Sequence, residues 1–236
     1  MPPAPLQPAS DAPWGVVCAL PQELGRCLGE APVAGRDLGV EWREARLGGA
    51  RVRCAVAGVG KVRAAHAASA LLAAGPLRGL LVVGVCGGLR ASLVPGTLVH
   101  CTRAVQTDLA VRGEREFAPD ADLCARWRAA APGEAGWFLT ADRPVLSLWR
   151  RLRLARAFLG PCVADMETAA VAAVACRAGV PWAALRAVTD QATGAALASF
   201  RVHFASQAGR AADTLPALLQ SVPAAPAALP DLSGAG

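Results

Sequence analysis

Lysine is almost missing from this 236-residue chain. Lys61 is the only one, and arginine supplies the rest of the Lys/Arg charge. Alanine dominates the apolar set. The pattern reads as the coding bias of a GC-rich genome, so the formal net charge of +6 is not taken as a nucleic-acid footprint. No pair among the eight cysteines is spaced C-x-x-C, and no His/Cys spacing resembles a zinc module, so no metal site is expected. Neither the Rossmann nor the P-loop glycine spacing occurs, which leaves a dinucleotide or ATP site unsupported. No apolar stretch reaches the ~18 residues of a membrane span without a charge or breaker. The N-terminal MPPAPLQPASDAP lacks the apolar region of a secretory signal. The expectation is a cytoplasmic protein with free thiols, no nucleic-acid partner and no membrane insertion. No internal repeat is visible.

Hydrophobic residues make up 54% of the chain, enough for a sizeable core without disulfides or metals. Residues 1–13 hold five prolines, and 221–236 are rich in Pro, Ala and Gly. Both ends read as disordered tails around a single domain over 14–220. Within it, apolar strand patterns alternate with helical ones. Strands are expected at Trp14–Leu20, Val40–Leu47, Arg51–Ala57, Leu80–Val85, Thr97–Val105, Phe138–Thr140 and Val180–Val188. Helices are expected at Pro21–Leu28, Val62–Ala74, Arg143–Leu159 and Phe200–Leu219. Gly48–Gly49 marks a hairpin. The predicted fold is a three-layer α/β/α sandwich with a mixed central sheet.

The densest chemistry lies in Val163–Asp190. Asp165-Met166-Glu167 opens an alanine-rich helix pattern, and the apolar run from Trp182 ends in Thr189-Asp190. In an open α/β sheet, ligands sit beyond the carboxyl ends of strands. Both acids can therefore face one crevice and do acid/base chemistry on a small molecule. Glu23 follows the first strand and reads either as a helix-dipole acid or as a crevice carboxylate. Gly58-Val-Gly-Lys and Gly84-Val-Cys-Gly-Gly each follow a strand, as turns or as places where backbone amides approach a ligand. His66, His100 and His203 share no motif and read as structural. Arg150, Arg151, Arg153 and Arg156 read as a solvated helix face.

Five segments occur together in order: Ala19-Leu-Pro-Gln-Glu-Leu, Val56-Ala-Gly-Val-Gly-Lys-Val-Arg-Ala-Ala, Gly84-Val-Cys-Gly-Gly-Leu, Asp165-Met-Glu-Thr-Ala-Ala and Arg186-Ala-Val-Thr-Asp. Over roughly Gly15 to Leu219 the chain resembles the nucleoside phosphorylase/nucleosidase superfamily, and within it the methylthioadenosine/S-adenosylhomocysteine nucleosidases. The resemblance implies hydrolysis of the N-glycosidic bond of a small-molecule nucleoside, without cofactor, by a homodimer. It assigns Glu23 to the water and Asp190 to protonation of the purine as catalytic residues. It assigns Glu167 to the ribose hydroxyls and Met166 to packing beneath the sugar, with Gly84, Val85, Cys86 and Thr189 as further substrate contacts. With no counterpart of the usual base-stacking aromatic, the purine is expected to be sandwiched by aliphatic residues or to have Phe138 as the substitute. Phosphorolytic relatives carry arginine and a hydroxyl residue where Val82 and Val85 stand, so hydrolysis is favoured over phosphorolysis. Futalosine hydrolases and adenosylhopane nucleosidases are the alternative branches, and a non-catalytic nucleoside-binding protein is the alternative class. The segment Leu109–Pro119 is expected to contact the 5′ substituent. Trp42, Phe117 and Trp127 are expected either at a subunit interface or at the edges of the core.

Overall fold

The computed structural model describes residues 11–110 and 115–223. Most of both expected tails thus lies outside the described residues, as do 111–114 of the expected 5′ segment. Ala12 and Pro13 are already buried, and the amide of Arg78 donates to the Pro13 carbonyl.

Ten strands form one mixed sheet. They are β1 (Trp14–Cys18), β2 (Val33–Asp37), β3 (Val40–Leu47), β4 (Ala50–Val56), β5 (Leu80–Gly88), β6 (Leu98–Gln106), β7 (Glu116–Phe117), β8 (Glu134–Thr140), β9 (Cys162–Asp165) and β10 (Trp182–Asp190). The order β2-β3-β4-β1-β5 is a twisted open half. Beyond β5 the sheet curls. β10 pairs with both β5 and β6, and the path returns through β8 and β9 to β5, closing a ring of five strands. All nine residues of β10 are buried, as expected for a strand with neighbours on both sides.

Helices cover both faces. On one side lie α2 (Lys61–Ala73) and α5 (Thr168–Arg177). Ala64, Ala67, Ala68 and Leu71 of α2 recur at helical spacing and are fully buried. Small side chains there let the helix approach α5 and the sheet closely. On the other side, α1 (Gly25–Leu28), α3 (Ala121–Ala130) and α7 (Leu215–Ser221) bury Leu28, Trp127, Leu215 and Leu218. α4 (Leu148–Ala157) and α6 (Ala196–Gln207) flank the ring.

Several expectations are corrected. β2, β7, β9 and α3 are elements that the sequence pattern does not predict. Gly84–Gly88 is not a turn: β5 runs through it, because β10 and β9 supply partners on either side. The expected helix over 143–159 starts only at Leu148, capped by Ser147, whose side chain accepts from the Arg150 amide. The closing helix is broken into α6 and α7, with Gly209 packed against Gly25 between them. Phe117 and Trp127 are core residues, so neither marks an interface, and Trp42 packs half-buried against the core.

One irregularity positions the site. Val188 pairs with Cys86, but Asp190 pairs with Gly87, so β10 carries one extra residue there. Such a bulge re-aims side chains. Thr189 and Asp190, neighbours in sequence, both line the same cavity.

Candidate active site

A cavity of about 240 Å³ opens at the carboxyl ends of β1, β5, β8 and β10. Its floor is built around Arg186. A lone arginine inside an apolar, wholly buried strand requires buried counter-charge, and the structure supplies it. Nε of Arg186 lies 3.0 Å from Oδ2 of Asp165, and Nη2 lies 3.0 Å from Oε2 of Glu167. Nη1 donates to the Val85 carbonyl at 2.8 Å, and Nε also reaches Thr168 Oγ1 at 3.1 Å. Burial works against this charge, but Asp165, Glu167 and Glu23 outweigh it and hold the guanidinium above its ordinary pKa.

Asp165 is in turn fixed by the Thr140 hydroxyl and, at 2.9 Å, by the Thr168 amide. Sequence reasoning gave Asp165, Thr140 and Arg186 no role in the site. One arginine inside an otherwise apolar strand was the signal for Arg186 and for an acid to pair with it.

Glu23 sits in the 3-10 turn Pro21–Leu24 directly after β1. Its Oε2 accepts from the amides of Ala19 and Leu20 at 2.8 and 2.9 Å, and its Oε1 from the Val85 amide at 2.9 Å. Burial raises its pKa, against the pull of Arg186 and these amides. Gly84, opposite Arg186 across the β5–β10 ladder, makes the arrangement possible. A Cβ there would stand 2.6 Å from Glu23 Oε1 and 3.1 Å from Arg186 Nη1, at a φ of +149°. Gly84 does not itself line the cavity. Val85 and Cys86 do.

Glu167 precedes α5. Its Oε1 accepts from the Gly60 amide at 3.0 Å while Oε2 faces Arg186. The Gly58–Gly60 turn thus gives an amide to a carboxylate of the protein itself. Burial raises the Glu167 pKa, opposed by Arg186 and reinforced by Asp165. Met166 lines the cavity beside it.

Asp190 accepts from the Ala192 amide at 2.8 Å and from the Thr189 hydroxyl at 3.0 Å. Burial raises its pKa, partly offset by both bonds. Thr189 Oγ1 also lies 3.3 Å from the Cys86 carbonyl. The hydroxyl can therefore donate to an ionised Asp190, or turn to Cys86 and accept from a protonated one. Asp190 keeps a partner in both states.

Phe138 joins Gly84 as an expected site residue outside the cavity lining. It is fully buried in the core with Val163 and Ala169 and does not line the cavity. Strand alternation sends its neighbours Leu139 and Ala141 to the cavity instead. From the expected 5′ segment and its approach, Thr107 lines the cavity, whereas Phe117 points into the core. His100 is buried against the Ala131 carbonyl, and neither it nor His66 nor His203 reaches the cavity. Among the described residues no cluster is placed to hold a metal ion, and no helix is long and apolar enough to cross a membrane.

The model of the phosphorylase superfamily matches residues 13–222. The chain belongs to the phosphorylase superfamily. It is 28% identical to the 5′-methylthioadenosine/S-adenosylhomocysteine nucleosidase of Mycobacterium tuberculosis, over 75% of this chain and 85% of that protein. Among solved structures, the Helicobacter pylori enzyme of that name, complexed with a substituted pyrrolidin-3-ol, superposes with a TM-score of 0.83 at 21% identity, covering 90% and 99% of the two chains. Native futalosine hydrolase of the same organism gives 0.82 at 21% identity, with the same coverage. These likenesses establish the superfamily fold, and the mixed sheet covered by helices on both faces is that fold.

Proposed function

We propose that this protein is a purine nucleoside N-glycosidase. It hydrolyses a 5′-modified adenosine-type nucleoside, of the methylthioadenosine or S-adenosylhomocysteine kind, to free base and ribosyl product. The observation that carries this reading is the convergence of Glu23, Glu167 and Asp190 on one cavity, whose floor holds the buried Arg186 paired with Glu167.

Counting hydrogen-bond capacity assigns the roles. A carboxylate has about four lone-pair sites. Glu23 uses three on backbone amides, leaving one on Oε1 for a water. Glu167 uses one on each oxygen, leaving one on each for the two ribose hydroxyls. Asp190, with its raised pKa, carries the proton to purine N7. The C1′–N9 bond then breaks with its electron pair leaving on the neutralised base. The sugar gains oxocarbenium character, stabilised by the acid-rich floor. The water oxygen bonds to C1′, and Glu23 takes its proton.

Hydrolysis rather than phosphorolysis is supported by the same floor. The amides of Ala19, Leu20 and Val85 could cradle an anion, but the Glu23 carboxylate occupies them. Val85 offers no hydroxyl, and a phosphate dianion there would meet three buried carboxylates. The nucleosidase relatives support the reading too.

The proposal includes a homodimer in the cytoplasm. Exposed Leu38, Val59 and Val62 near the start of α2 are the apolar surface offered for that contact, and Val59 also reaches the cavity. Light scattering at micromolar concentration should give twice the 24.1 kDa chain mass. For the reaction, methylthioadenosine, S-adenosylhomocysteine and inosine are incubated with the protein and the released base and sugar identified. Release of base from none of them would overturn the reading.

A further inference from the structure

The cavity mouth adjoins a surface of unusual composition. From Arg143 to Ala164 the chain carries five arginines and no acidic residue. α4 runs through this stretch. Leu148, Trp149, Leu152, Arg153 and Arg156 fall within one 140° arc of that helix at 100° per residue, and all are exposed. Trp149 is 72% exposed. The opposite side of the helix, Arg151, Leu154 and Ala155, is buried. Arg151 is used internally, donating to the Leu89 carbonyl. Arg153 lies over the Trp149 ring, 5.5 Å from its centroid. Among the described residues no ion pair engages Arg153 or Arg156. Leu146, before the helix, and Leu159, after it, extend the apolar area. Leu146 also lines the cavity mouth.

We propose that this face of α4 docks the protein on an anionic lipid surface, with the cavity mouth beside the bilayer. Tryptophan and leucine flanked by arginine are the composition of helices that lie in a membrane interface. Arginine can extend its stem along the apolar area and leave its head at the phosphate level. Charge complementarity selects this occupant over a second copy. A two-fold contact brings the same patch against itself, so cations would meet cations with no acid to answer them. Docking does not depend on which bond the cavity cleaves.

The test uses the full chain and two kinds of vesicle, phosphatidylcholine alone and an equal mixture with phosphatidylglycerol. Sedimentation should show binding to the anionic vesicles, little to the neutral ones, and weakening with added salt. Arg153→Ala/Arg156→Ala should bind roughly thirtyfold more weakly, from the stabilisation expected of two arginines at such a surface. Trp149→Ser/Leu152→Ser should also lose binding. Neither pair lines the cavity, so nucleosidase activity and circular dichroism should match the wild type. No binding to anionic vesicles, equal binding to both kinds, or undiminished binding by the variants would overturn the proposal. A change of oligomeric mass in the Trp149→Ser/Leu152→Ser variant would reassign the face to a second copy. Retention on double-stranded DNA without vesicle binding would reassign it to a polyanion.

Discussion

Nη2 of Arg186 and Oε2 of Glu167 lie 3.0 Å apart with both side chains closed off from solvent. Asp165 completes the cluster. Removing one partner of a buried ion pair typically costs about 3–5 kcal/mol, because the other charge is stranded. Arg186→Met should therefore destabilise the fold by about that amount, measured by urea unfolding. Arg186→Lys keeps the charge but not the planar fork and should fall between the two.

Asp190→Asn should lower turnover by roughly 10²–10⁴-fold, the usual contribution of a general acid. A variant within tenfold of wild type would remove Asp190 from that role. Stability should move the other way. Because burial raises the Asp190 pKa, the native state holds its proton more tightly than the unfolded chain does. The stability from that proton is present below the ordinary aspartate pKa and lost as pH rises through the native value. At neutral pH, Asp190→Asn should thus melt no lower than wild type, and any advantage should shrink on acidification in a thermal scan.

The same shift sets the alkaline limb of the rate profile. Activity should fall as pH rises through the raised Asp190 pKa, and kcat against pH should show the loss above the range of an ordinary aspartate. A flat profile up to the ionisation of lysine would mean that another group protonates the base.

Gly84→Ala should damage catalysis from beneath the site. The added methyl meets Glu23 Oε1 at 2.6 Å, so the carboxylate must shift. A displacement on the order of 1 Å can cost about 10²-fold. The expected signature is a lower kcat with KM less affected, since Glu167 is untouched.

Base release should not need phosphate, and the sugar should emerge unphosphorylated. Appearance of ribose 1-phosphate in step with added phosphate would show that Glu23 yields its amides to the anion.

Where one pattern dominated locally, the chain could be read directly. The apolar runs of β1, β5 and β10, the Gly48–Gly49 hairpin and the alanine periodicity of α2 stand close to their expected bounds. What escaped depended on partners distant in sequence. β2 is largely exposed and holds its place by pairing with β3, so its own pattern carries little signal. β5 continues through Gly87 and Gly88 because Ala164 and Val163 pair with them. Phe138 was assigned to the cavity and lies one position out of phase with Leu139, which faces it. Trp127 was weighed as an interface residue, but its indole donates to the Thr214 hydroxyl at 2.7 Å in the packed interior. In the site, the three acids named in advance all line the cavity. The arginine that pairs with Glu167 was hidden by its apolar surroundings, its second partner Asp165 comes from another strand, and Thr140, which fixes Asp165, from a third.

The extra residue in β10 makes the site depend on length as well as on composition. Without Thr189 the ladder would return to strict alternation, and only one of two consecutive side chains could then face the substrate. Asp190 would lose either its place or its hydroxyl companion. Single-residue insertions and deletions between Val188 and Asp190 should thus be tolerated far less well than substitutions there. In a library of length variants, active clones should keep the count across this short span even where the letters change.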